Sequence, residues 1–164
     1  MNDLVIGIDL GITGAMTVLE QGNVTHIYDL PTKYTETKSR QETIVDGVSL
    51  AKMIAFNQSS NIHYFIENTH SMQDSAMTAF SMGQTKGIVR AVIELIDNGI
   101  IHWIQPQEWK KYFGLMKLSK DCSRIKALEL HPEWYDLIKL KKHHNRAESL
   151  LIADYGKFLL ERVL

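Results

Sequence analysis

Asp9 lies inside an apolar run, Leu4-Val5-Ile6-Gly7-Ile8-Asp9-Leu10-Gly11, and no other feature constrains the chain as tightly. A carboxylate in so apolar a strand is costly unless a cation or a hydrogen-bond network offsets its desolvation. Two more acids occupy comparable positions. Glu67 ends the run His63-Tyr64-Phe65-Ile66-Glu67, and Glu148 lies in His144-Asn145-Arg146-Ala147-Glu148-Ser149, on what reads as the C-terminal helix. Acids far apart in sequence, each within or ending a core element, point to a shared divalent-metal site.

The segments around these acids read as a mixed α/β domain. Residues 4–10, 14–20 and 24–30 are short apolar or alternating runs separated by Gly11-Ile12-Thr13-Gly14 and Gln21-Gly22-Asn23, the pattern of an antiparallel three-stranded meander. Residues 31–46 are polar, open with Pro31 and read as a mobile loop. Helical spacing follows over 47–57, then a fourth strand over 62–67, a long helix over 73–97 and a fifth strand over 100–104. Pro106 opens a short helix carrying Trp109, Tyr112 and Phe113. Ser119 is placed to cap a helix that runs to Leu130 and stops before Pro132, and a last helix spans 145–162. This order fits one five-stranded mixed sheet flanked by helices, a single domain over 1–164.

Composition narrows the function classes. The chain has 164 residues, 45% hydrophobic and 23% charged, as in a soluble globular protein with a full core. No apolar run approaches membrane-spanning length, and no signal-peptide pattern opens the sequence. The single cysteine, Cys122, excludes an internal disulfide or a cysteine metal cluster, so a reducing, cytoplasmic setting is expected. Net charge is -1, but it is unevenly spread: Lys110 to Arg146 holds ten Lys/Arg against four acids, a net of +6. Such asymmetry suits one face for a polyanion, or else a pair of solvated helices.

If strands one and four are neighbours, Asp9 and Glu67 come together, and a helix across the sheet can bring Glu148 and position 145 from one face. Oxygen ligands without cysteine favour Mg²⁺, with Mn²⁺ as substitute, over zinc. Two such ions can activate a water and stabilise the leaving oxygen of a phosphodiester. The bland alternative is a hydrogen-bonded core acid, a strand-end acid and a solvated helix acid.

Four motifs carry a resemblance. Gly7-Ile8-Asp9-Leu10-Gly11, Ile66-Glu67-Asn68, Met82-Gly83-Gln84-Thr85-Lys86-Gly87 and His144-Asn145-Arg146-Ala147-Glu148-Ser149-Leu150-Leu151-Ile152-Ala153 resemble those of RuvC-type Holliday junction resolvases, most closely the small phage-encoded members. The resemblance spans essentially the whole chain. It implies an RNase H-like fold, a homodimer, four acidic ligands for two Mg²⁺ ions, and paired nicks across a four-way DNA junction leaving 5′-phosphate and 3′-hydroxyl ends. Recombination and repair are the settings it implies, in the host-cell cytoplasm for a phage-encoded member.

Carried over residue by residue, Asp9, Glu67 and Glu148 match three of the acids, and the fourth falls on Asn145. An amide is neutral and offers one carbonyl oxygen, so it holds metal poorly. Three explanations compete: an Asp→Asn change made to trap DNA uncut, a ligand supplied instead by His144 or His143, or a naturally weaker site. The first is favoured, because one atom-for-atom swap separates this chain from the pattern. Lys120 falls where the family places lysines near the scissile phosphate. Lys110, Lys117, Arg124, Lys141, Lys142 and Arg146 are candidates for neighbouring phosphates.

The segment from Asn68 to Phe80 matches the family's junction-centre region, making Met72, Gln73 and Phe80 candidate wedges or base contacts, although Phe80 and Met77 read rather as core. Gln84, Lys86 and Gly87 match the family's helix motif. Lys86 is a further DNA-binding candidate, and the glycines suit close packing between subunits. Trp103, Trp109 and Trp134 read as core or edge packing.

Two other classes compete. Asp9-Leu10-Gly11-Ile12-Thr13-Gly14-Ala15 also resembles the phosphate loop of actin and sugar-kinase ATPases, but 164 residues cannot supply the second lobe such a nucleotide site needs. A non-cleaving junction-binding protein, with Asn145 as the natural reason, is the nearer alternative.

Overall fold

The computed structural model describes residues 3–36, 41–55, 61–68, 75–96 and 99–162, with the side chains of Asp3 and Lys120 outside that description. One sheet organises the fold. Strands β1 (Asp3–Asp9), β2 (Ala15–Glu20) and β3 (Asn23–Asp29) form the expected antiparallel meander. Strands β4 (Thr32–Glu36) and β5 (Gln41–Val45) follow, then helix α1 (Gly47–Ala55), strand β6 (Asn61–Glu67), helix α2 (Ala76–Ile96) and strand β7 (Ile100–Ile104). β6 lies parallel to β1 and β7 parallel to β6, giving the order β3-β2-β1-β6-β7. The expected five-stranded mixed sheet is therefore present, with strands one and four of the sheet side by side.

Alternation along each strand sends its side chains to two cores. Ile6 and Ile8 of β1 pack with Tyr64, Ile66 and the inward faces of α1 and α2. Val5 and Phe65 face the other way, into a second core built on helix α3 (Pro106–Tyr112), helix α4 (Lys120–Leu130) and helix α6 (His144–Glu161). Gly7 shows how closely α6 is seated. A Cβ there would overlap the Ser149 carbonyl and the Ala153 amide and lie 2.7 Å from the Ala153 Cβ, so the helix backbone rests on the strand backbone. Gly156, two turns on, leaves the same kind of room for the Phe65 ring.

Two expectations need correction. Residues 31–46 are not an open loop: β4 and β5 pair as an antiparallel hairpin, its tip outside the described residues. Only Val45 of the two strands is buried, so the segment lacks the apolar alternation that marks a strand. Helix α4 ends at Leu130, before Pro132, as expected. Pro132 then opens a 3₁₀ turn (Pro132–Trp134) that runs into helix α5 (Tyr135–Ile138), and a second turn (Lys141–His143) leads into α6. Phe80 and Met77 are not core. They are 68% and 61% exposed, on the first turns of α2. No described helix is long and apolar enough to cross a membrane.

Candidate functional site

Asp9 and Glu67 each follow the last partners of the β1–β6 pairing, Ile8 and Ile66, and each is the final residue of its strand, so they end neighbouring parallel strands. Asp9 lies two positions after Gly7, and Glu67 two after Phe65. Both carboxylates therefore sit on the face that α6 covers. Glu148 lies on α6 beside Ser149, whose hydroxyl makes a buried 2.8 Å hydrogen bond with Thr17 of β2. The three acids are 7%, 5% and 7% exposed, rare burial for carboxylates.

Neutral donors hold two of them. Trp109, fully buried on α3, donates its indole N–H to Glu67 Oε1 at 2.9 Å. Buried Ser123 of α4 donates its hydroxyl to Glu148 Oε1 at 3.1 Å. The reading of Trp109 as packing was thus incomplete: the indole is core, and it also orients a site carboxylate. Its only sequence signal is an aromatic with one polar atom in a helix opened by proline.

Asn145 meets the turn that follows Asp9. Its Nδ2 donates to the Thr13 carbonyl at 2.5 Å and lies 2.9 Å from the Thr13 hydroxyl. The carbonyl only accepts, which fixes the amide with its nitrogen toward the turn. That turn needs Gly14, where a Cβ would overlap the Asp9 carbonyl and crowd the Gly11 nitrogen at 2.9 Å. Beside it, Arg146 makes a two-pronged ion pair with Asp29 at the end of β3 (Nε to Oδ1 2.6 Å) and donates to the Leu137 carbonyl. The guanidinium holds the Asp29 carboxyl below the usual carboxylate range, outweighing partial burial.

His144 Nδ1 is 3.2 Å from the Lys141 carbonyl, so it carries the ring proton and leaves Nε2 as the basic nitrogen. His143 Nδ1 is buried with no hydrogen-bond partner among the described residues. Burial, with Arg146 and Lys142 nearby, pushes its pKa down and favours the neutral ring.

The donor set suits a hard divalent cation in chemistry: buried carboxylates from two strands and a helix, with no thiolate. Among the described residues, however, no three histidine, cysteine or carboxylate side chains are gathered closely enough to hold a metal ion. Asp9, Glu67, Asn145 and Glu148 thus lie at one end of the sheet without forming a closed cluster.

The basic candidates divide. Lys86 donates to Asn68 Oδ1 at 2.5 Å and lies 4.4 Å from the Trp103 ring centre. Arg124 pairs with Asp121 at 2.8 Å and donates to the Lys139 carbonyl. With Arg146, these cations are engaged within the chain. Lys110 lies over the Trp109 ring at 4.9 Å. Lys117, Lys141 and Lys142 are exposed. The Lys120 side chain, and all of Met72 and Gln73, lie outside the described residues.

No protein-family profile matches the sequence, and no curated protein does. Among solved structures, the chain is similar to Thermus thermophilus RuvC, with a TM-score of 0.58 at 14% identity over 98% of this chain and 96% of that one. It is similar also to T. thermophilus RuvC in complex with a Holliday junction substrate, with a TM-score of 0.56 at 12% identity over 97% and 96%. The likeness is one of fold: a mixed five-stranded sheet flanked by helices, of the RuvC and RNase H-like kind.

Proposed function

We propose that this chain is a divalent-metal-dependent endonuclease that resolves four-way DNA junctions and cuts related branched DNA. The supporting observation is the placement of three buried carboxylates, Asp9, Glu67 and Glu148, on one face at one end of a RuvC-like sheet. One similar structure holds a Holliday junction substrate, which makes branched DNA the first substrate to test.

In this reading Asp9, Glu67 and Glu148 hold Mg²⁺, or Mn²⁺ in its place, with Asn145 or His144 at the fourth position. When bound, the ions supply an activated water and charge stabilisation at the leaving oxygen. Trp109 and Ser123 orient their carboxylates before any ion arrives. Lys117, Lys141 and Lys142 hold phosphates of the flanking arms, and Lys120 lies near the scissile one. Met72 and Gln73 are the proposed contacts for the junction centre. A homodimer gives paired nicks, and α2 is the surface proposed for it: Cβ atoms at Gly83 and Gly87 would meet nothing within 4 Å, and Phe80 is exposed beside them.

The test is nicking of a labelled four-way junction in Mg²⁺ by this chain and by its Asn145→Asp variant. The expected outcome is cutting by the variant only, which makes position 145 the missing ligand. Equal cutting moves that role to His144. Tight binding with no cutting by either leaves a second reading, a non-cleaving junction-binding protein. One observation favours that reading: Asn145 donates to a backbone carbonyl, which a carboxylate cannot do.

A further inference from the structure

On the sheet face that carries Phe65, two histidines meet at the β7 edge: His63 on β6 and His102 on β7. His63 Nδ1 and His102 Nε2 are 3.0 Å apart, and the contact is only part-buried. Phe65 backs the pair, its ring stacked on His102 with centroids 4.5 Å apart and planes within 9° of parallel. Nitrogens this close share one proton, so one ring donates and the other accepts. Burial, and then the neighbouring His63, push the His102 pKa down, which favours a neutral ring. The pair lies apart from the carboxylates: His63 is four residues before Glu67 on β6, about 13 Å along the strand.

We infer that His63 and His102 form a two-imidazole site for a late first-row divalent ion such as Zn²⁺, independent of the nuclease reading. Imidazole nitrogen suits such ions, whereas Mg²⁺ takes oxygen. Two nitrogens bound to a tetrahedral Zn²⁺ at about 2.0–2.1 Å stand about 3.3 Å from one another. The observed 3.0 Å is thus nearly a chelate spacing, already set by two paired strands. Each lone pair must swing about 35° off the line joining the nitrogens, and histidine χ2 is broad enough to allow it. The shared proton leaves to water and the donor ring takes one back on its other nitrogen, so both rings stay neutral. Among the described residues no third histidine, cysteine or carboxylate completes a cluster, so an ion here keeps water in its remaining positions. A bound ion would tie the edge strand β7 to β6, the strand that ends in Glu67.

The experiment is a calorimetric titration of Zn²⁺ into the full chain in excess Mg²⁺, beside His63→Gln, His102→Gln and the double variant. Each single variant should bind one Zn²⁺ fewer per chain, and the double variant should lose no more than either single. Zn²⁺ should also raise the thermal unfolding midpoint of the unaltered chain more than that of any variant. Nitrogen NMR of the imidazoles in the unaltered chain gives a reading that needs no variant to fold. On adding Zn²⁺, His63 Nδ1 and His102 Nε2 should both move to metal-bound positions. Unmoved resonances, an unchanged Zn²⁺ count in both single variants, or losses that add in the double variant overturn the site and leave a hydrogen-bonded pair only. None of these readings involves DNA, so the nuclease reading stands or falls separately.

Discussion

A single hydrogen bond ties Trp109 to Glu67 across 42 positions of sequence. Trp109→Phe keeps the aromatic bulk and removes the N–H. The expected cost is about 1–3 kcal/mol, measured as a shift in the urea unfolding midpoint, because a buried carboxylate loses a donor. Any Mg²⁺-dependent nicking should fall with it. Asp9 and Glu67 were legible in the sequence because a charge inside an apolar run is conspicuous on its own. The Trp109 and Ser123 contacts were not, since a hydrogen bond between distant helices and strands leaves no local pattern. Asn145 was legible as an oddity, but its bond to Thr13 depends on how α6 meets the β1–β2 turn.

Elements are joined here by few contacts of high consequence. Gly7→Ala would press a methyl into the backbone of α6, and such overpacking typically costs about 1–3 kcal/mol. Thermal unfolding should report the loss. His131 joins the end of α4 to α6: its Nε2 is 2.7 Å from Asp154 Oδ2 and its Nδ1 3.2 Å from Glu133 Oε1. Burial pushes this imidazole's pKa down, but the two carboxylates outweigh it and leave the pKa above its ordinary 6.5. A raised pKa stabilises the folded state fully below about 6.5 and loses that contribution as pH rises through the folded value. The unfolding midpoint of His131→Asn should thus lag the parent most near pH 5.5 to 6, with the gap closing toward pH 9. Long periodic elements were legible with ends within a few residues. The β4–β5 hairpin and the short helices over 132–143 were not, because they bury too little apolar surface to impose a period on the sequence.

At the scale of the whole molecule, a net charge of -1 hides a basic segment. Junction affinity should therefore fall steeply with salt, and replacing Lys141 and Lys142 by alanine should reduce the slope of log K against log salt by about two. A salt-independent affinity would remove the basic face from the functional reading. The fold class was legible because the order of strands and helices admits few sheet topologies. The distances between the acids were not, since they depend on how one helix lies across the strands. That arrangement has a mechanical side. Where α6 crosses Gly7, main chain rests on main chain, with no side-chain torsion between them to switch. The main-chain offset between Asp9 and Glu148 is held by two regular backbones and changes only if a whole helix slides, so the anchor points of the two carboxylates inherit the stiffness of the scaffold.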